Sequence, residues 1–598
     1  MPEKIEELVR AALAAAQEAG DLSAFELDDC AIERPADTSH GEWTSTMALK
    51  SAKLAHCAPR KIAEAIVAHM PEDPAIEKVE IAGPGFINFY LSVAVKNAIF
   101  GEAREKGMDF AKSNVGGGLK TQVEFVSANP VGPMHIGHGR WAALGDSLCR
   151  VMDHAGYDIQ REFYINDHGS QMNTFGNSIS TRYMQLADII AKQGVDIDEA
   201  HKLLIADRDA FVADENDEHP ETHPYQDNFA ETLGKDSYGG DYIIDEAAEF
   251  WRTDGDKWVN ADPQERMESF RERGYVKMVD NMRDLCHAVN CDFDRWFSER
   301  SLYVKDTEGE TAGTSAVDRA FEKLDKMGYL YTKDGALWFR STDLGDDKDR
   351  VLIKSDGEYT YFASDVAYHW DKFQRVDHVI DIWGADHHGY IPRVTGAIKA
   401  LDLDSDKLHV ALVQFAVLYR NGQKASMSTR SGEFVTLREL RKEVGNDACR
   451  FFYALRKSDQ HLDFDLDLAK SQSNENPVYY IQYAHARLCS VLGQWNGVLA
   501  DLSGADLARL DNERELALCA RLTAFPEVVQ GAAADYAPHQ IAFYLKDLAG
   551  EFHSYYNAER MLVEDVALKE ARIALAVAVR QVIRNGLAIL GVSCPLSM

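Results

Sequence analysis

This chain is short of the residues that staple a fold or span a membrane. Its nine cysteines are an odd number in 598 residues, with no Cys-x-x-Cys pair among them. That pattern excludes a disulfide framework and a structural zinc site, and it fits reduced thiols in the cytoplasm. Long apolar runs are missing too. The longest, Ile573 to Val579, falls far short of the roughly 20 residues a membrane helix needs. The opening MPEKIEELVR carries acids and no apolar stretch, so no signal peptide is expected; it reads as the start of an amphipathic helix. Positive charge is scarce: 64 basic residues against 97 acidic ones leave a net charge of −33. Such an average field disfavours nonspecific nucleic-acid binding. It leaves room for a local basic groove and salt-sensitive, steered binding of RNA.

The length allows three or four domains, and the 45% hydrophobic content is ordinary for a globular protein. Residues 1–112 read as a module of their own. It opens on a helical pattern (Ile5, Leu8, Val9, Ala12) and later carries the strand-like IAGPGFINFYL. The glycine-rich segment Asn114 to Gly118 reads as a linker. Residues 116–445 alternate short apolar strands with helices, the pattern of a doubly wound parallel sheet. Within them, about 195–260 turn acidic and irregular, with Pro220 and Pro224, and read as a solvated insertion. Its His219 and His223 make a weak metal pair, and a solvated loop explains them better. LYTKDGALWF, RVLIKSDGEYTYF and DHVIDIWGAD resume the strand signal. Residues 446–598 are helical throughout, with the stripe Ile481, Ala484, Leu488, Val491, Leu492 and the apolar run 573–590. The fold class is therefore α/β and multidomain: a Rossmann-like catalytic domain between an N-terminal α+β module and a C-terminal all-α bundle. No internal repeat is visible.

The most informative stretch is Glu124 to Arg140, EFVSANPVGPMHIGHGR. Val123, Phe125 and Val126 form a strand-like run that Asn129-Pro130 and a further glycine and proline stop. A helix follows with Trp141, Leu144, Leu148 and Val151 on one face. His135 and His138 thus sit where a strand turns into a helix, where backbone N–H groups and the helix dipole favour a phosphate. Gly137 and Gly139 allow close backbone approach. Both histidines are suited to donate hydrogen bonds to phosphate oxygens as negative charge shifts.

His135-Ile136-Gly137-His138 matches the nucleotide-binding signature of class I aminoacyl-tRNA synthetases, and the surrounding Glu, Ser-Ala-Asn-Pro and Gly-His-Gly-Arg resemble the arginyl-tRNA synthetase family. The resemblance runs from about residue 5 to 598 and accounts poorly only for the acidic stretch near 207–227. It implies an enzyme that activates L-arginine with ATP to arginyl-adenylate and transfers it to the 3′ end of tRNA-Arg. It also implies magnesium accompanying ATP, no structural metal, a monomer, a cytoplasmic location without membrane contact, and arginine activation that requires tRNA. Arginine contacts are implied for Glu124, Ser127, Asn129, Tyr361 and Asp365. In WGADHHGY, Gly384, Asp386 and His388 fall beyond a strand end, where open α/β sheets bind ligands, and resemble the ATP side of these enzymes together with Gly137. Phe86, Asn88 and, more weakly, Phe89 are implied RNA contacts in the N-terminal module. Tyr479, Tyr480, Tyr483 and Arg487 offer stacking and phosphate contact at the opening of the anticodon bundle.

The main departure is the mobile loop of the form KMSKS, whose lysines neutralise ATP phosphates. It reads here Ser426-Met427-Ser428-Thr429-Arg430, so only Met427 and Ser428 match. Some arginyl enzymes carry a compensating lysine before the first signature, but Gly132 stands at that position. Lys424 and Arg430, with Lys120 further off, are the cations that would take over. Two other readings stand beside this one. A catalytically weak tRNA-binding paralogue would explain the altered loop, and a class I synthetase for another amino acid would show an apolar pocket. A small nucleotidyltransferase is disfavoured by the C-terminal helices.

Overall fold

The computed structural model describes residues 1–598 apart from 27–28, 36–39, 215–218, 226–228, 235 and 426–434. At the N-terminus, the helix Pro2–Glu18 and the helix Pro59–Ala68 cover an antiparallel sheet with spatial order 32–33, 43–45, 86–91, 76–82. The helix Pro2–Glu18 buries Ile5, Val9, Ala12, Leu13 and Ala16 along one stripe. This core reaches Leu91 and stops short of residue 112. The next helix, Val93–Lys106, instead sends Phe100 and Ala103 into the central core shared with the C-terminal helices.

The central domain is built on a five-stranded parallel sheet: β1 Lys120–Glu124, β2 Asp158–Ile165, β3 Arg295–Ser298, β4 His378–Gly384 and β5 Leu408–Val413. Their spatial order is β5-β4-β1-β2-β3. The chain builds outward from β1 through β2 to β3, then returns to place β4 on the other side of β1. The order therefore reverses between β1 and β4, and in such sheets the ligand crevice lies beyond the strand ends at that reversal. The helix after β1, α1 Ile136–His154, buries Leu144, Leu148 and Val151. The strand signals over 329–353 do not extend this sheet. Residues 330–333, 336–339 and 350–353 form a separate antiparallel sheet.

The acidic stretch 195–260 is more ordered than its composition predicts. After α2 Ser170–Gln193 come α3 Ile197–Ala213 and α4 Asp241–Asp254, packed against α2 and each other, and Phe250 of α4 meets Phe270 of α5 Pro263–Ala288. Leu204, Ile243, Ile244, Ala247 and Phe250 are buried there, and most of the acids lie on the outer faces of amphipathic helices, Asp207 and Glu246 being buried exceptions. His223 is buried with its Nε2 3.2 Å from Asp214, whereas His219 is exposed. Among the described residues no three candidate ligands gather around a metal position.

Two more helices lead toward the C-terminal bundle: α6 Tyr361–Arg375 and α7 Leu437–Val444. The tail of YTYF thus opens α6 and is no strand. The bundle itself consists of α8 Pro477–Trp495, α9 Glu513–Ala534, α10 His539–Ala558 and α11 Val566–Ile589. One buried arginine ties it to the catalytic domain. Arg450 donates to Asp146 of α1 at 2.5 Å, to the Leu590 carbonyl at 2.9 Å and to the Val289 carbonyl at 2.8 Å. Gly591, at φ +67°, is needed beside it, because a Cβ there would lie 2.4 Å from the guanidinium. Removing one partner of such a buried charge pair costs about 3–5 kcal/mol. Arg450→Met is therefore expected to lower the unfolding free energy by about 3 kcal/mol or more, measured by denaturant titration of the purified chain; a loss under about 1 kcal/mol would mean that this node is not a structural anchor.

Candidate active site

The chain leaves β1 through two consecutive non-glycine residues in the left-handed region, Val126 (φ +70°) and Ser127 (φ +37°). Strain of this kind costs of order 1–3 kcal/mol per residue and is found at ligand clamps. It is held by a short relay: the Ser127 hydroxyl donates to Glu124 Oε1 at 2.8 Å and accepts from the Tyr164 N–H at 3.1 Å. Asn129 follows, half-buried and outside the lining of the cleft, with its amide donating to Gln171.

His135 then caps α1. Its Nδ1 accepts from the Gly137 N–H and the Nδ1 of His138 accepts from the His135 N–H, both at 3.1 Å. With Nδ1 occupied as an acceptor, the neutral ring carries its proton on Nε2. Burial lowers the pKa of both histidines. That of His138 falls to about 3, with His135 adding to the burial penalty. The pair are therefore uncharged N–H donors at a helix N-terminus, suited to phosphate oxygens without bringing a full positive charge. Trp141 packs 5.4 Å from His138, ring to ring, and lines the cleft. The start of α7 is pinned to this turn: Leu437 N–H donates to Met134 O at 2.9 Å and Ile136 N–H to Val435 O at 3.3 Å. Met427, Ser428 and Arg430 lie outside the described residues. Lys424 is exposed in the two-residue strand Gln423–Lys424 just before them. Lys120 is no candidate for phosphate contact, because it begins β1 at the end opposite the cleft, about 13 Å away along the strand. Gly132 sits close to a neighbouring side chain: a Cβ would lie 3.1 Å from the Tyr242 hydroxyl, which itself donates to Val131 O, so a side chain there would have to displace it slightly.

At the reversal point sits a cleft of about 380 Å³, lined among others by Glu124, Ser127, Trp141, Tyr164, Glu299, Tyr361, Asp365, Trp383, Gly384 and Tyr390. Four of the residues expected to hold substrate thus come together: Glu124, Ser127, Tyr361 and Asp365. Gly384 joins them at the end of β4, where a Cβ would lie 2.4 Å from Asp386 Oδ1. WGADHHGY leaves its strand at Gly384 and continues as a 3₁₀ turn, so alternation along a strand does not decide its directions. Asp386, His387 and His388 are exposed there, and His387 is the one that lines the cleft.

The acids of the cleft differ in their partners. Glu124 is already engaged: its Oε2 accepts from the fully buried Lys372 at 2.5 Å, and the same ammonium lies 2.6 Å from Asp381 Oδ1. Burial keeps Glu124 above the usual carboxylate range, with Lys372 opposing. Asp381, despite its burial, is held down to about 2 by Lys372 and His369. Asp365 sits on the second turn of α6 and accepts from the Tyr390 hydroxyl. Glu299 is the residue that sequence reading missed. It is 2% exposed and its Oε1 accepts from Ser364 at 2.8 Å, while Oε2 meets no hydrogen-bond donor among the described residues. Burial, with Asp365 and Asp167 adding, pushes its pKa up to about 7; burial raises that of Asp365 as well. Neither forms an ion pair among the described residues. One buried and one half-buried carboxyl group thus share the cleft without a cation. Its signal in the sequence is its place one residue beyond β3, the same carboxyl-end rule that picks out Glu124.

A second cleft of about 770 Å³ shares Glu299 and Tyr361 with the first and adds Arg271, Arg300 and Lys354. Further off, Arg487 of α8 stacks over Tyr483 at 4.3 Å and Tyr556 at 4.9 Å, and Tyr479 stacks on Tyr483 at 5.9 Å. These partly exposed rings offer the stacking surface expected there. Asn88 and Phe89 do not: both are buried between neighbouring strands of the N-terminal sheet, and Phe86 is partly exposed.

Three family descriptions match the chain: "Arginyl tRNA synthetase N terminal domain" over residues 3–91, "tRNA synthetases class I (R), catalytic domain" over 109–216 and 261–461, and "DALR anticodon binding domain" over 481–598. The chain is 54% identical to the arginine–tRNA ligase of Azoarcus sp. strain BH72 and 54% identical to that of Aromatoleum aromaticum, with 95% of each chain covered in both cases. Among solved structures, Thermus thermophilus arginyl-tRNA synthetase superposes with a TM-score of 0.70 at 20% identity, covering 100% of both chains, a likeness of fold.

The capping geometry makes a prediction of its own. In histidine-selective ¹⁵N spectra, His138 should keep its proton on Nε2 and remain uncharged from pH 8 down to pH 5. The unfolded chain takes up that proton below about 6.5, so this residue contributes to stability lost as the pH falls through that value. An imidazolium signal from His138 at pH 6 would overturn the assignment.

Proposed function

Because the chain belongs to the arginyl-tRNA synthetase family, we propose that the 380 Å³ cleft holds arginine stretched between two sets of acids. Glu299 and Asp365 take the guanidinium at one end, and Glu124 takes the α-ammonium at the other. The observation that carries this reading is Glu299 Oε2, a buried carboxylate oxygen without a partner in a cleft that holds a second unpaired acid. A guanidinium presents a fork of N–H donors to such oxygens. An apolar amino acid would leave Glu299 Oε2 buried without a donor and neither acid with a cation, which argues against a synthetase for a hydrophobic substrate.

The chain is an arginine–tRNA ligase. Arginine's carboxylate attacks the α-phosphate of ATP, forming arginyl-adenylate and releasing pyrophosphate. The 2′-hydroxyl of the terminal adenosine of tRNA then takes the arginyl group and AMP leaves. His135 and His138 stabilise charge on the phosphates through Nε2–H. Positioning and electrostatics supply the acceleration, with no covalent enzyme intermediate. Magnesium enters with ATP, held through phosphates and water. The larger cleft, with Arg271, Arg300 and Lys354, suits the phosphate backbone at the tRNA's 3′ end, and the Tyr479, Tyr483 and Arg487 surface suits anticodon bases. We read the enzyme as a cytoplasmic monomer. It is expected to activate arginine only with tRNA bound.

The direct test is exchange of labelled pyrophosphate into ATP. It should require arginine and cognate tRNA together; exchange with another amino acid, or none at all with tRNA still bound, defeats the reading. His138→Ala should lower kcat by about 100-fold, and His138→Asn, which keeps an N–H donor, by less. The pH dependence follows from Glu299. It must lose its proton to pair with arginine, so the KM for arginine should rise as the pH falls below about 7, by up to about tenfold per unit. In Glu299→Gln that KM should be high and flat with pH; a slope equal to that of the unmodified enzyme would exclude Glu299.

A further inference from the structure

Lys372 is 0% exposed and cannot touch a ligand in the cleft. Its ammonium is nevertheless the hinge of the site. Within nine residues of chain it reaches Asp381 Oδ1 at 2.6 Å, and across 248 residues it reaches Glu124 Oε2 at 2.5 Å. Glu124 and Asp381 are cross-strand partners in register on β1 and β4, so two carboxylates face each other directly. Side by side in a buried sheet, such a pair repels unless a cation lies between them. The other oxygen of each acid is also taken: Asp381 Oδ2 lies 2.9 Å from His369 Nε2, and Glu124 Oε1 accepts from Ser127. Asp381 and His369 thus set where Lys372 stands, and Lys372 sets where Glu124 stands.

We propose that Lys372 is a positioning residue for the amino acid substrate: held by Asp381, it fixes the Glu124 carboxylate so that it meets the α-ammonium of arginine in the cleft. Without the ammonium, Glu124 faces Asp381 unscreened and swings away or shares a proton with it. The effect falls on arginine and leaves the nucleotide alone, because the phosphate donors His135 and His138 hang on a different turn with its own caps. This inference rests on Glu124 as the residue that meets the α-ammonium.

Steady-state aminoacylation by the full-length enzyme tests it, with arginine and ATP varied separately. Lys372→Met should raise the KM for arginine about tenfold or more and leave the KM for ATP within about twofold. Adding Asp381→Asn removes the opposing charge, so the double variant should recover most of that loss, a non-additive rescue that a merely structural lysine would not show. The proposal is overturned if both KM values rise together, or if the double variant is no better than Lys372→Met. Should Lys372→Met not fold, Asp381→Asn is read the same way: it unhooks the ammonium from β4, and unless the KM for arginine alone rises the proposal fails. Glu124→Gln separates the premise from the inference. If it leaves the KM for arginine unchanged, the role of Glu124 falls and the proposal with it. If it raises that KM while Lys372→Met does not, the proposal alone falls.

Discussion

The site depends on a row of buried acids that would not tolerate one another without the helix laid across them. In register across the parallel sheet stand Asp381 of β4, Glu124 of β1, Glu162 of β2 and Arg295 of β3. Three adjacent carboxylates in the interior repel and lose hydration, at several kcal/mol per uncompensated ion. The last turns of α6 answer them. Lys372 bridges the first two, and Arg375 and Tyr368 hold Glu162 at 2.9 and 2.7 Å. The first turns of the same helix carry Tyr361 and Asp365 into the cleft. Helix docking and substrate presentation are thus two ends of one rigid element, and the apolar face of α6 (Phe362, Val366) fixes its roll.

Charge is partitioned cleanly around the cleft. On the side proposed for the amino acid are carboxyl groups, two of them in no ion pair among the described residues. On the side proposed for the nucleotide are uncharged imidazole N–H groups at a helix start. Neutral donors there have a physical advantage. A buried imidazolium would carry a desolvation penalty, whereas an N–H dipole held by caps needs no reorganisation when negative charge develops on phosphate. Beside the histidines, Val435 and Leu437 are pinned to Ile136 and Met134 by backbone hydrogen bonds.

Much of this was legible in the sequence because it is carried by local signals. The strand–turn–helix around His135 to His138, the parallel sheet and the helical C-terminus follow from periodicity, caps and glycine–proline punctuation. Glu124, Ser127, Tyr361 and Asp365 converge as the motifs imply. What stayed hidden is of two kinds. Glu299 and Lys372 act through contacts made far along the chain. Lys372 on the buried face of α6 could have been flagged only by asking why a lysine occupies a core position of an amphipathic helix. Composition misled at the other points. Acidic residues over 195–260 disguised two packed helices, and the alternation around Asn88 and Phe89 marked a core strand, not a face for RNA.

The pairing of α6 with β4 also bears on the order in which the molecule assembles. His369 and Lys372 lie only 12 and 9 residues from Asp381, so this helix–strand unit makes its own charge pairs over a short loop. Glu124 lies 248 residues earlier, so its pairing with Lys372 closes a far longer loop. Closing a loop of that length is slow relative to local pairing. The pocket therefore depends on residues contributed late in the sequence: Tyr361, Asp365 and Lys372 of α6 all lie beyond the strands β1 to β3 that they complete.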